Sequence, residues 1–402
     1  MFIQNDFIRT YVTKRHNSMF LNDIEKNIEI LRGNISGRSV LVIGGAGSIG
    51  SSFIKALLPF KPASLVVVDT NENALAELTR DLRSTKGLFV PTDYVTYPMD
   101  FASDVFEKMF RSRGGFDIVG NFSAHKHVRS EKDIYSIEAL LQNNVLHAKL
   151  LLDLLSEYPP EEYFCVSTDK AANPVNIMGA SKRIMEDVIF SYSDKFPVKT
   201  ARFANVAFSN GSLPAGFLAR IQKLQPLSAP SDVRRYFVSP EESGQICLLS
   251  CILGENRAIF FPKLEEAQMM TFDAIGTELL KAHGYEVLEC DSDEEAIDKA
   301  EELKKGSNLY PVHYSGSDTS GEKPFEEFVT DTESADMNRF SSLGVITGKE
   351  IPDKNRVEKL FIDLNAAFDK ETTKKEEVVA IIKNYLPNFE HIETGKSLDS
   401  KM

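Results

Sequence analysis

Four consecutive residues, Ser167-Thr168-Asp169-Lys170, set hydroxyls, a carboxylate and an amine side by side just after the apolar run "EYFCV". Such a group can move protons: a hydroxyl relays them, while a carboxylate and an amine act as acid or base according to surroundings. Further on, "NIMGASKR" carries Lys182 with Met178 four residues before it. Residues i and i+4 of a helix share a face, so both point toward one place. Lys182 brings positive charge there. The Met178 thioether neither takes nor gives a proton; it offers an apolar, adaptable surface. Proton transfer therefore falls to Thr168, Asp169 and Lys170.

Nearer the N-terminus, "VLVIGGAGSIGSSF" sets Gly44, Gly47 and Gly50 directly after an apolar strand and at the opening of a helix, with Ser48 and Ile49 between them. Glycines in that context give a tight turn, close approach of backbone to a pyrophosphate, and close packing of helix on strand. The free N–H groups and partial positive charge of the helix N-terminus then face the phosphates. Asp69 ends the next apolar run, nineteen residues after Gly50. A carboxylate there accepts from both adenosine ribose hydroxyls of NAD. It would repel a 2′-phosphate, and Glu72 follows it, so NAD is favoured over NADP; Arg80 and Arg83 are the cations an NADP reading would recruit. Asp100, in "PMDF", is placed to accept from the adenine amine or to sit in a surface turn.

The elements that must hold these residues alternate. Buried-strand patterns at 39–45, 64–70, 116–123, 162–169 and 198–206 are separated by helical patterns, including one long helix over "EALLQNNVLHAKLLLDLLSEY". Continuous β-branched runs between helices predict an α/β fold: a Rossmann-type doubly wound parallel sheet, with a smaller mixed substrate-binding domain. The expected organisation is a helical N-terminal extension (1–36), a dinucleotide-binding domain (37–206), a mainly substrate-binding part (207–340) rich in proline at its start, and a helical C-terminal extension (341–402).

A formal net charge of −13 argues against a nucleic-acid partner, which would select a basic face. No apolar run reaches the length of a membrane span, and the N-terminus lacks a signal-peptide core, so a cytoplasmic protein is expected. Cys247 and Cys251, one turn apart in an apolar stretch, read as core. His125 and His127 alone do not make a metal site, and no metal is expected.

The motifs "GGAGSIG", "SAHKHV", "STDKAANPVNIMGASKR", "RFANVAFSNGS", "RRYF" and "GEKPFEEF" stand here in one order. In that order they resemble an extended short-chain dehydrogenase/reductase of the nucleotide-sugar 4,6-dehydratase group. The resemblance is strongest to the UDP-N-acetylglucosamine 4,6-dehydratases of bacterial polysaccharide synthesis. It covers roughly residues 37–330. Such enzymes usually carry tyrosine where this chain has Met178, although some also have methionine. Part of the family has a membrane-spanning N-terminal region; this sequence shows no such run, so a soluble form is expected.

The resemblance implies an enzyme that oxidises C4 of a UDP-sugar, eliminates water across C5–C6 and returns hydride to C6, with NAD regenerated each turnover. Thr168 would bond the oxygen at C4, Lys170 would take the C5 proton, and Asp169 would protonate O6; the last two roles are interchangeable. Lys182 would bond the nicotinamide ribose. The substrate would be held by Lys126, Asn205, Asn210, Ser212, Glu322 and either Arg234 or Arg235, since arginine suits a diphosphate. A homo-oligomer, dimer or larger, is also implied. The alternatives are a nucleotide-sugar 4-epimerase, which needs no base at C5, and a catalytically silent dinucleotide-binding regulator.

Overall fold

The computed structural model describes residues 2–127, 131–317, 323, 325 and 327–392. Six of its strands are β1 (Ser39–Ile43), β2 (Ser64–Asp69), β3 (Asp93–Pro98), β4 (Ile118–Asn121), β5 (Glu162–Val166) and β6 (Val198–Ala201). The cores of β1, β2, β4, β5 and β6 are buried, as expected of β-branched runs covered on both faces. Short strands follow: β7 (Asn205–Val206), β8 (Leu227–Pro230), β9 (Arg234–Arg235) and β10 (Phe237–Val238). After them come β11 (Ile259–Pro262), β12 (Met270–Thr271), β13 (Glu286–Glu289), β14 (Leu309–Ser315), β15 (Ala335–Asp336) and β16 (Leu343–Ile346).

The main sheet has nine strands in the order β15-β16-β11-β6-β5-β4-β1-β2-β3. All neighbours pair parallel except at one edge, where β16 runs antiparallel to both β11 and β15. The chain moves from β1 outward to β3, then returns to the other side of β1 as β4. That reversal opens a crevice beyond the strands' C-terminal ends, where ligands bind in doubly wound sheets. The fold is thus the α/β doubly wound sheet that the alternation predicts.

Three details differ from the sequence reading. Residues 198–206 form two strands instead of one: β6 stays in the main sheet, and β7 pairs with β10. The main sheet also takes β11, β15 and β16 from beyond residue 206, in stretches where the alternation is too loose to mark them. Finally, the long helix over 134–157 is interrupted by a π-turn at Gln142–Leu146.

Packing explains the cysteine pair. Helix Pro240–Leu253 lies so close to helix Ser48–Leu57 that a Cβ on Gly244 would stand 2.2 Å from the Ser52 carbonyl oxygen. Cys247 and Cys251 are free and buried, and burial pushes both thiols up, Cys251 to about 12. A second core unites Phe208, Phe217, Leu279 and Tyr310 with Phe7, Ile8 and Val12 from the N-terminal segment. It supports the three-stranded sheet β13-β14-β8. The C-terminal helices Lys354–Phe368 and Lys375–Tyr385 bury Leu360, Phe361, Leu364 and Ile382 against the main core.

Candidate active site

The loop after β1 is shaped by what a side chain would hit. Gly44 has φ +69°, and a Cβ there would come within 2.6 Å of the Ser123 nitrogen; one on Gly50 would meet the Gly44 oxygen at 2.4 Å. Gly47 caps helix Ser48–Leu57 without a side chain to occupy its first N–H groups. Those amides are the orphan donors that an anion can use. Asp69 accepts from Ala46 N at 3.0 Å through one oxygen and from Asn71 N at 2.9 Å through the other. Its carboxylate therefore pins the glycine turn from the end of β2. Asp100 lies just beyond β3, exposed, and accepts from Ala102 N at 2.8 Å. The bare helix N-terminus and the Cβ-free turn fit a dinucleotide pyrophosphate, and Asp69 stands at the strand end where a ribose would lie.

At the end of β5, Asp169 is buried while Thr168 and Lys170 are partly exposed. Three donors converge on Asp169 Oδ1: the Thr168 hydroxyl at 2.8 Å, the Lys170 amide at 2.8 Å and Lys170 Nζ at 3.3 Å. The three side chains proposed from sequence are therefore one hydrogen-bonded unit. The helix Ile177–Phe190 packs its start against them, since a Cβ on Gly179 would lie 2.7 Å from the Lys170 oxygen. Met178 and Lys182 are both buried on this helix. Lys182 Nζ donates to the Val166 oxygen at 3.1 Å. Burial pulls its pKa down, with Cys165 and Glu186 opposing.

The loop with His125 and Lys126 is tied down by Asn144, which sits in the π-turn. Asn144 accepts from His125 N at 2.9 Å and donates to the His125 oxygen at 2.9 Å and to Ser181 Oγ at 3.0 Å. Lys126 is exposed by its surface, yet desolvation by the protein around it lowers its ammonium pKa. Burial likewise lowers His125, with the nearby His147 adding to the effect. Gly211 abuts this loop, because a Cβ there would lie 2.8 Å from His127 Nε2. Asn210 N donates to Ser48 Oγ at 2.9 Å, bringing the Asn210–Ser212 turn to the start of helix Ser48–Leu57. Ser212 itself caps helix Leu213–Lys223. Asn205 is partly buried at the start of β7.

The two arginines separate. Arg234 is exposed and paired with Glu266 at 2.9 Å. Arg235 is buried and donates to the Lys323 oxygen at 2.9 Å, while Lys323 Nζ reaches the Asn173 oxygen at 2.6 Å. Arg235 is thus linked through Lys323 to the loop before helix Ile177–Phe190, while Arg234 pairs with Glu266 at the surface. Glu322 lies outside the described residues. Among the described residues there is no group of three or more His, Cys, Asp or Glu placed to hold a metal ion. None of their helices is long and apolar enough to cross a membrane.

Beneath β5 lies a buried ionic hub that sequence reading missed. Arg202, fully buried, donates to Glu186 at 3.0 and 2.8 Å, to Glu333 at 2.6 and 2.9 Å, and to the Phe328 oxygen at 2.8 Å. All five guanidinium donors are used. Glu186 also accepts from Ser167 Oγ at 2.7 Å, one residue before Thr168. Burial would raise both carboxylates, but Arg202 outweighs it, and Glu333 falls to about 2. Glu186 stands one helical turn past Lys182 and Arg202 opens "RFANV", the only signals in the sequence.

A doubly wound sheet with a glycine turn at its switch point defines the class: a Rossmann-fold α/β protein. The chain belongs to the polysaccharide biosynthesis protein family, whose model matches residues 40–347. An uncharacterized membrane protein of Methanocaldococcus jannaschii is 31% identical over 257 residues, 62% of this chain and 73% of that one. The capsular polysaccharide biosynthesis protein CapD of Staphylococcus aureus is 28% identical over 241 residues, 59% of this chain but only 40% of the longer relative. A UDP-N-acetylglucosamine 4,6-dehydratase (inverting) of Campylobacter jejuni is 26% identical over 240 residues, 57% of this chain and 68% of that one.

Among solved structures, Pen from Bacillus thuringiensis superposes with a TM-score of 0.63 at 18% identity, covering 82% of this chain and 98% of that one. The dTDP-glucose 4,6-dehydratase DesIV of Streptomyces venezuelae, with NAD bound, gives 0.54 at 17%, covering 87% and 96%. A UDP-glucose 4-epimerase of Thermus thermophilus, in complex with NAD, gives 0.53 at 18%, covering 72% and 89%. At these identities the likeness is one of fold.

Proposed function

We propose that this chain is a nucleotide-sugar enzyme of the dehydratase/epimerase kind and, within it, an NAD-dependent 4,6-dehydratase acting on UDP-N-acetylglucosamine. The observation that carries the reading is the Thr168–Asp169–Lys170 unit, three proton-transfer groups joined through Asp169 Oδ1. A 4-epimerase needs no base at C5, so the carboxylate–amine couple favours dehydration. Relatives named as a UDP-N-acetylglucosamine 4,6-dehydratase support it, although UDP-glucose 4-epimerases stand among the relatives as well.

The glycine turn, the first turn of helix Ser48–Leu57 and Asp69 would hold NAD, with Lys182 at the nicotinamide ribose. Bound NAD would accept hydride from sugar C4 and give it back at C6. The protein's own work is proton transfer. Thr168 Oγ1 accepts the O4 proton while passing its own to Asp169 Oδ1, 2.8 Å away. The C4 ketone acidifies the C5 hydrogen, and Lys170 Nζ, as the neutral amine, removes it. Asp169 returns its proton to O6, which departs as water, and Lys170 reprotonates C5. Met178 keeps this route dry without joining it. Arg235 and Lys126 are the cations assigned to the diphosphate side, with Asn205 and the Asn210–Ser212 turn at the sugar.

The reading includes a cytoplasmic setting, in keeping with four free buried thiols, and a homo-oligomer that sedimentation would detect. The deciding experiment is proton NMR of the product from UDP-N-acetylglucosamine in deuterated water. A 4-keto-6-deoxy product carrying deuterium at C5 supports dehydration. A C4 epimer without deuterium at C5 would establish the epimerase instead, and bound NAD with no turnover of any UDP- or dTDP-hexose would favour the silent regulator.

A further inference from the structure

Helix Ile177–Phe190 opens with amide groups that its own carbonyls cannot reach. Asn176 Oδ1 takes Gly179 N at 2.7 Å. Met178 N turns instead to another segment, donating to Glu131 Oε1 at 3.0 Å. The second oxygen, Glu131 Oε2, lies 3.4 Å from His391 Nε2, and both side chains are only about a tenth exposed (10% and 9%). The Glu131 backbone oxygen accepts from Lys375 Nζ at 3.3 Å. One residue past His391, Ile392 N donates to the Val175 oxygen at 3.0 Å, in the loop that leads into the helix. The C-terminal segment therefore grips this helix start both directly and through Glu131.

The grip reaches the chemistry through packing. Gly179, in the same first turn, is seated against the Lys170 oxygen so closely that a Cβ would come within 2.7 Å. On the turn's other side, Ser181 Oγ donates to the Met178 oxygen at 2.7 Å and accepts from Asn144. A shift of the turn would displace Lys170 relative to Asp169, and proton transfer tolerates little misplacement.

We infer that Glu131 is a positioning residue, held by His391 and Lys375 of the C-terminal segment, which fixes the first turn of the Met178 helix and through it the backbone of Lys170. The clasp contributes no proton to the reaction. Its catalytic consequence rests on the dehydratase reading; its structural consequence does not.

The test uses the full chain with Glu131→Ala, Glu131→Gln and His391→Ala, each read by amide hydrogen exchange over residues 172–185 and by turnover of UDP-N-acetylglucosamine. In Glu131→Ala the amides of residues 177–179 exchange about tenfold faster or more. Its kcat falls about tenfold, with KM and NAD affinity within about twofold of the parent. Glu131→Gln keeps an acceptor for Met178 N and recovers most of both losses. His391→Ala shifts both readouts the same way by less. Unchanged exchange in Glu131→Ala, or faster exchange with kcat intact, overturns the inference. If Glu131→Ala does not fold, His391→Ala decides by the same two readouts. If the parent protein shows no turnover, the dehydratase reading fails while exchange still decides whether the clasp exists.

Discussion

Two strand ends flank the crevice, and they are built on opposite terms. After β1 the site is built from backbone: Gly44 and Gly50 are defined by the absence of a Cβ, and the helix start leaves its first amides without a side-chain cap. After β5 it is built from side chains: Thr168, Lys170 and Asp169 meet on one carboxylate oxygen, over the Arg202 hub. A backbone site cannot accept a new side chain without moving the chain, so shape and binding fail together. A side-chain site can lose its chemistry while the fold stands.

Lys170→Ala should separate the two ends most widely. Lys170 is partly exposed, so its loss leaves no buried charge except an Asp169 that still accepts from Thr168 and the Lys170 amide. Turnover of UDP-N-acetylglucosamine should drop about a thousandfold or more, equivalent to about 4 kcal/mol of barrier. Melting temperature and NAD affinity should stay put. A parallel loss of NAD affinity would show that the two ends are not independent, and ordinary product yield would remove Lys170 from the mechanism.

Gly50→Ala should do the converse. The new Cβ would sit 2.4 Å from the Gly44 oxygen and 2.8 Å from the Gly45 Cα, both backbone atoms that can yield only by moving the turn. NAD affinity, by calorimetry, should fall about a hundredfold, near 2.7 kcal/mol, and stability should fall with it. Gly33→Ala is the control, since it stands exposed in helix Ile28–Ile35 with nothing within 4 Å of its Cβ position. That change should stabilise by about 0.5–1 kcal/mol and leave NAD binding alone. Unimpaired binding in Gly50→Ala would end the claim that the β1 end works through backbone shape.

The same contrast governs what the sequence made legible. A strand–glycine–helix turn is local, so its residues and its shape could be read in one stretch. Residue types at the β5 end were legible for the same reason, but their supports come from afar. Asn144 lay hidden because a π-turn changes which residues share a face, and an Asn pair in an apolar helix was the only sign of it. Arg234 and Arg235 could not be ranked, because neighbours in a strand point to opposite faces and only the pairing of β9 with β12 fixes which is inward. The four-residue strand β11 pairs with β6, sixty residues earlier, a register no local pattern encodes.

The hub beneath β5 gives that end a dependence on pH. Glu333 drops from an ordinary 4.5 to about 2 under the hydrogen bonds from Arg202, despite burial that works the other way. A carboxylate whose folded pKa is depressed stabilises the fold fully above its unfolded value, and that share is lost as pH falls through the folded value. Melting temperature should therefore decline between pH 4.5 and about 2, on top of other acid effects. In Glu333→Gln this part of the slope should vanish, at the cost of lower stability at neutral pH. An unchanged slope would mean that Glu333 carries none of the acid sensitivity.

The smallest effect should come from the position that looks most like a defect. Met178 is buried at the start of the helix, its amide held by Glu131. Met178→Tyr would add a phenol near Lys182, whose pKa burial already lowers. If the O4 proton travels from Thr168 to Asp169 across 2.8 Å, the phenol has no vacant duty. The expected change in kcat is less than about threefold, under about 1 kcal/mol, with some stability lost to overpacking. A rise of tenfold would show that the parent enzyme is limited by that proton transfer. The Thr168–Asp169 route would then be a poor substitute for a tyrosine, and the side-chain end of the site would be working below what its geometry allows.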